Sequence, residues 1–145
     1  MAAGDAQLYD TGIEVLIGND WVNDAFYAIL LDVSYTPSDA HSTYSDVSAA
    51  ETTDVDYAPV ALTGKTKSTV AGEARIDSDD LEFGTNVSIS AAYVAVLKGT
   101  AAAPVAGDKL LFYGDLDTGS GNVSSTNSVF AARANANGWL GATHS

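Results

Sequence analysis

The chain holds few candidates for the base of nucleophilic hydrolysis, a reaction that requires a nucleophile, a base and an orienting carboxylate. It has no cysteine and two histidines, His41 in a polar stretch and His144 one residue from the end of the sequence. Because neither histidine is well placed to serve as the base of a triad, the sequence does not favour hydrolysis. We expect no catalytic residues and no enzymatic activity.

Oxygen ligands are the kind of metal coordination that this composition allows, because thiolate ligands are absent and imidazole ligands are scarce. Residues 115–122 begin like a calcium loop, with Asp115 and Asp117 at alternate positions. Gly119 replaces the third ligand, and Thr126 stands where the bidentate glutamate belongs. A plain hairpin loop is therefore the favoured interpretation, and we expect no metal and no cofactor.

Two pairs of acids, Asp54 with Asp56 and Asp79 with Asp80, have the residue types of a glycosidase acid and base. Aspartates are common in the surface turns of acidic proteins, and that interpretation is favoured for both pairs. The glycine-rich stretch 119–121 lacks the lysine and the strand-to-helix setting of a phosphate-binding loop. No nucleotide or other small-molecule site is expected.

Aromatic residues near predicted loops are better candidates for a binding surface, because Trp and Tyr bury a large rigid area and keep one polar group. Together with one leucine of the N-terminal segment, the candidate interface residues are Leu8, Tyr9, Trp21, Tyr35, Tyr44, Tyr57 and Trp139. Core packing at the ends of the sheet is the alternative for each of them.

Short apolar segments between turn clusters predict the elements that position these residues. Ile13–Ile17 predicts a first strand, and Ala25–Leu31 predicts a central strand buried on both faces. Ala91–Leu97 and Lys109–Tyr113 predict a hairpin.

Weaker patterns predict further strands and one long loop. Ala58–Leu62 predicts an edge strand because Pro59 cannot donate to a ladder, and Lys65–Val70 predicts a solvated edge. Residues 73–83 alternate apolar and charged side chains, which indicates a half-buried strand interrupted by a turn. Residues 38–56 predict a long loop with one helical turn.

About seven or eight short strands without long amphipathic helices predict an all-β fold. We expect an antiparallel β-sandwich or barrel-like (jelly-roll-like) single domain, with long loops and at most one short helix. The expected organisation is an N-terminal arm over residues 1–12 and one β-sandwich domain over residues 13–145.

The net charge of −13 arises from 19 acidic and 6 basic residues. Such a charge repels nucleic acid and anionic membranes, so neither is an expected partner. The first residues lack the basic and apolar regions of a signal peptide, which favours synthesis in a cytoplasm.

Three segments resemble small all-β virion proteins of tailed bacteriophages, of the head decoration (cement) type. They are the apolar run Trp21–Leu31, the YTPSD sequence at 35–39 and the TYSDV sequence at 43–47. Residues 56–64 are similar to a Gly-Tyr-x-x-x-x-Leu-x-Gly segment of that class, with Asp56 in place of the glycine.

The resemblance implies a non-enzymatic virion protein that binds the outer surface of the major capsid protein lattice and stabilises the head. The implied partners are the major capsid protein and copies of the chain itself, with a homotrimer favoured, and the implied location is the capsid surface. We expect residues 1–9 and 38–56 to make these contacts. A tail- or fibre-associated protein with a carbohydrate- or receptor-binding role is the alternative.

Overall fold

The computed structural model describes residues 6–117, 121–136 and 138–143. In chain order the strands are β1 (Gln7–Leu8), β2 (Phe26–Leu31), β3 (Val60–Ala61), β4 (Thr66–Val70), β5 (Glu73–Asp77), β6 (Leu81–Glu82), β7 (Ser90–Ala91), β8 (Tyr93–Lys98), β9 (Lys109–Asp115), β10 (Val123–Ser124), β11 (Ala131–Ala132) and β12 (Leu140–Thr143). The helices are α1 (Asp10–Gly18) and α2 (Tyr44–Val47), and a 3-10 turn (Ser48–Ala50) follows α2. Within the described ranges, neither helix has the length and apolar character needed to cross a membrane.

The fold is all-β and sandwich-like, with antiparallel strand pairs, as predicted. Five strands form the main sheet in the order β1-β9-β8-β2-β3. All six residues of β2 are buried, because both faces of this sheet are covered. The doubly buried strand and the β8–β9 hairpin are thus confirmed, although β8 and not β2 lies in the middle of the sheet.

A second layer consists of a three-stranded sheet, in the order β12-β5-β4, and the two small pairs β11-β6 and β10-β7. The β4–β5 hairpin turns through Ala71 and Gly72, which both have positive φ, as two-residue hairpin turns require. β3 and β4 lie at sheet edges, which confirms the two predicted edge strands, and β4 is exposed at all five positions. β5 and β6, predicted as one interrupted strand, belong to different sheets.

Two apolar cores lie on opposite faces of the main sheet. Because successive side chains of a strand point to opposite faces, Phe26 and Leu30 enter the core between the two layers. Tyr27 and Ile29 enter the second core, on the other face.

The strand predicted for Ile13–Ile17 is wrong, because these residues belong to α1. The β-branched residues of the segment resemble a strand, but the buried residues of α1 are Gly12 and Val15, at helical spacing. A side chain at position 12 would collide with the carbonyl oxygen of Leu111, so the glycine lets α1 pack directly on β9. The structure therefore has two short α-helices where at most one was predicted.

Residues 32–52, which we call the cover segment, cross the second core and are anchored at both sides. The Thr52 amide donates to the Leu30 carbonyl at 3.0 Å, beside β2. The Leu110 amide of β9 donates to the Ser42 carbonyl, also at 3.0 Å. The predicted helical turn is confirmed as α2 and the 3-10 turn, and the chain itself supports this long connection.

Of the predicted N-terminal arm over residues 1–12, the structure describes residues 6–12. Gln7 and Leu8 pair with β9, and residues 10–12 begin α1. Residues 1–5 lie outside the described part of the chain.

Candidate functional site: the tyrosine face and the α1 cleft

Six of the seven tyrosines lie in or against the core beneath the cover segment. We call this cluster of tyrosines the tyrosine face. They are Tyr9, Tyr27, Tyr35, Tyr44, Tyr93 and Tyr113. Each brings one hydroxyl group into a largely apolar environment, where an unpaired polar group would be costly.

The buried centre of the tyrosine face is a chain of hydrogen-bonding groups that starts at Tyr9. The hydroxyls of Tyr9 and Tyr35 are 2.9 Å apart, and the Tyr35 hydroxyl lies 3.0 Å from Nδ1 of His41. The rings of Tyr93 and Tyr113 contact the Tyr35 ring edge-on. Burial, and then the bond with Tyr35, raise the pKa of Tyr9 far above its ordinary value.

A carboxylate fixes the loop between β8 and β9 against the same face. The Tyr27 hydroxyl donates to Oδ2 of Asp108 at 2.8 Å, and the Val105 amide donates to the same oxygen at 3.0 Å. Burial and the neighbouring carboxylate raise the pKa of Tyr27. The hydrogen bond therefore requires a protonated tyrosine.

Glu51 joins the cover segment to the first core. Its Oε2 accepts a hydrogen bond from Tyr44 at 2.6 Å, and its Oε1 accepts one from Tyr57 at 2.8 Å. The Tyr57 hydroxyl in turn accepts the Leu30 amide at 3.1 Å. Burial and the Glu51 bond raise the pKa of Tyr44 to about 12.

Both tryptophans lie in the core between the layers, on the side of the main sheet opposite to the tyrosine face. Trp21 is 3% exposed and Trp139 is 2% exposed, and both rings contact Phe112. Their indole N–H groups donate to the Asp77 carbonyl and to the Ser78 hydroxyl. The N–H groups and the ring surfaces of both tryptophans thus already make contacts within the chain.

The structure separates the seven candidate interface residues into groups. Tyr9, Tyr35 and Tyr44 share the tyrosine face, whereas Trp21 and Trp139 lie in the other core. Tyr9, Tyr35 and both tryptophans are buried. The alternative of core packing therefore applies to these four residues. Leu8, Tyr44 and Tyr57 keep part of their side chains at the surface.

The predicted turn roles of Asp54 and Asp56 are visible in their hydrogen bonds. Asp54 Oδ1 accepts the Asp56 amide at 3.0 Å and Oδ2 accepts the Ser88 amide at 3.3 Å. Asp56 Oδ2 lies 3.5 Å from the amide nitrogen of Asn86. These carboxylates stabilise loop backbone and side chains, as turn aspartates commonly do.

Among the described residues, no group of three or more His, Asp or Glu side chains could hold a metal ion. Residues 118–120 of the candidate calcium loop and His144 lie outside those ranges, so the loop prediction stays a prediction. Asp115 Oδ1 accepts the Asp117 amide at 2.9 Å.

The sequence did not predict a second feature, the α1 cleft, which we define as the apolar opening between α1 and the three-stranded sheet. Its volume is about 520 Å³, and its apolar walls include Leu8, Leu16, Ile76 and Leu140. These residues come from three separate parts of the sequence, and the segment that supplies Leu16 was predicted as a strand. A helical interpretation of residues 10–18 would have indicated the feature, because it places apolar residues on an outer helix face.

The chain matches no known family model, no curated protein and no solved structure.

Proposed function

We propose that this chain is a structural protein of the bacteriophage virion, a decoration protein that binds the outer surface of the major capsid protein lattice and stabilises the head. The observation that carries the proposal is the cover segment. It contains the YTPSD and TYSDV sequences of the resemblance, and its two sides are anchored by backbone hydrogen bonds to the sheet.

A connection that is anchored at both sides suits binding to a lattice, because little conformational entropy is lost when it docks. The loop that follows the cover segment carries Val55, which is 94% exposed. An exposed valine on a supported loop can bury apolar area without rearrangement. We assign the contact with the capsid to residues 38–56, with residues 1–9 as a second contact.

The charge supports the same proposal. A net charge of −13 keeps the free chain soluble before assembly. Many modest contacts, repeated over a shell, can then stabilise it by mass action and multivalency. A closed symmetric oligomer, with a trimer favoured, would match local three-fold positions of a capsid.

Carbohydrate binding is less favoured, because an aromatic ring can stack on a sugar only where it is exposed, and Trp21 and Trp139 are buried. Tyr44 is partly exposed. A glycan-binding screen would still reveal a tail- or receptor-binding role.

The test is binding of the purified chain to isolated undecorated phage heads, with bound copies counted after sedimentation. We expect saturable occupancy, and Val55→Asp should lower the affinity about tenfold or more, because it places a charge where an apolar side chain is buried. Val129→Asp, at an exposed valine outside residues 38–56, is the matched control. Absence of binding by the unaltered chain would refute the proposal. Equal binding by Val55→Asp and Val129→Asp would refute the assignment of the contact to residues 38–56.

A further inference from the structure

The described residues leave an apolar surface around α1 uncovered. Ile13 and Ile17, one helical turn apart, are 56% and 83% exposed. They lie on the same helix as Leu16, which lines the α1 cleft. We propose that this α1 patch, made of α1 and the α1 cleft, is the surface through which copies of this chain associate.

The α1 patch contains both projecting side chains and a cleft that can receive such side chains. Ile13 and Ile17 project from α1, while the adjacent cleft is walled by Leu8, Leu16, Ile76 and Leu140. Volumes of about 300–1,000 Å³ accept groups as large as small ligands, so a cleft of about 520 Å³ can receive an isoleucine side chain. The projecting isoleucines and the cleft belong to one surface. A second copy of this chain can therefore receive these isoleucines in its own cleft and insert its isoleucines into the cleft of the first copy.

Charge favours contact at this position over contact elsewhere. α1 carries Asp10 and Glu14 and no basic residue, whereas the cleft is lined by Lys67 and Arg75 and, among the described residues, by no acidic one. The charge of α1 is therefore opposite in sign to that of the cleft lining. When α1 of one copy lies against the cleft of another, acidic side chains face basic ones, which favours this contact on a chain of net charge −13.

The open mouth of the cleft leaves room for this approach. Lys67 and Thr69 of β4 line the cleft, and all five residues of β4 are exposed. Among the described residues β4 pairs with β5 on one side only, so its outer edge is not covered by the chain. The Lys67 ammonium lies 3.7 Å from Asp20 in an exposed ion pair, an interaction that a docking surface can rearrange at little cost.

The experiment measures molar mass by sedimentation equilibrium over concentrations of about 1 to 100 μM. The unaltered chain should form a closed oligomer of two or three copies. Ile17→Asp should weaken association about tenfold or more, and the neutral Ile17→Gln should do so as well, because burial of the isoleucine is lost. Val129→Asp, at an exposed valine that does not line the cleft, should keep the mass of the unaltered chain.

Circular dichroism and thermal melting establish that each variant is folded, which is expected because Ile17 is largely exposed. A monomeric unaltered chain at every concentration would overturn the inference. So would an unchanged mass for both Ile17 variants, or an equal loss of association in Val129→Asp.

This inference rests on the proposed function, because it names the surface through which copies of the decoration protein contact each other. The two proposals can still fail separately. If the chain associates through the α1 patch but leaves phage heads unoccupied, the decoration role fails and the α1 patch stands. If the chain occupies heads while its unaltered form stays monomeric in solution, the α1 patch fails and the decoration role stands.

Discussion

The hydroxyl oxygens of Tyr9 and Tyr35 lie 2.9 Å apart in the core, although 26 positions separate the two residues in the chain. Tyr9 stands between β1 and α1, and Tyr35 belongs to the cover segment. The hydrogen bond between the two hydroxyls therefore joins the N-terminal part of the fold to the cover segment. This arrangement makes the cover segment part of the folded core.

Removing the Tyr9 hydroxyl tests this connection. Tyr9→Phe should lower the free energy of unfolding by about 1 kcal/mol, because a buried hydrogen bond is lost while the ring is kept. Tyr113→Phe is the matched control, since its ring contacts Tyr9 and no hydrogen bond to its hydroxyl occurs among the described residues. Urea denaturation measures both, and equal losses in the two variants would contradict the prediction.

High pH should destabilise the fold through its tyrosines. The pKa of Tyr44 rises from 10.0 to about 12, and burial also raises the pKa of Tyr9, Tyr27 and Tyr57. A raised folded-state pKa contributes stability that is fully present below pH 10, the unfolded value, and is lost as pH rises through the folded value.

Urea denaturation at a series of pH values, with tyrosinate absorbance recorded in parallel, measures this loss. We expect the free energy of unfolding to fall steadily above pH 10. Tyr44→Phe should show a shallower fall, because one contributing group is removed. A free energy of unfolding that stays constant up to pH 12 would refute the assignment.

The two glycines of α1 provide an internal comparison. Gly12→Ala should destabilise the protein by about 1–3 kcal/mol, because its methyl group would meet the Leu111 carbonyl oxygen. Gly18→Ala should be neutral or slightly stabilising, since no atom lies within 4 Å of the added carbon and alanine favours helix. Thermal melting of both variants decides the matter, and a neutral Gly12→Ala would contradict direct packing of α1 on β9.

The bond between Tyr27 and Asp108 should be measurable as a coupling. Removing a hydrogen bond to a charged acceptor costs about 1.5–3 kcal/mol, so Asp108→Ala and Tyr27→Phe should each destabilise the protein. The double variant should lose less than the sum, with a coupling energy of about 1 kcal/mol in a double-mutant cycle. Strictly additive losses would show that the two side chains act separately.

Local patterns predicted the strands whose sequence signals are strong. The apolar run of β2 and the paired runs of β8 and β9 carry enough β-branched and aromatic residues to define strands, and both predictions are confirmed. Residues 13–17 carry the same residue types but form a helix, because Gly12 allows close packing on β9. That packing depends on the position of Leu111, which no local pattern contains.

Much of the candidate site depends on contacts between distant residues. Loop position suggested Trp21 and Trp139 as interface residues, whereas their burial depends on Phe112, far away in the chain. The role of Glu51 is similar, because its two tyrosine partners come together only after the cover segment is anchored. Spacing in the sequence carries no signal for such contacts.

Six of the seven tyrosines and both tryptophans lie on opposite sides of the main sheet, which gives the protein two layers of natural chromophores. Indole emission reports on the space between the sheets, and phenol absorbance reports on the side beneath the cover segment. Energy transfer from phenol to indole across a single sheet would weaken as the layers separate. The order in which the two sides of the molecule open can therefore be followed optically, without any attached label.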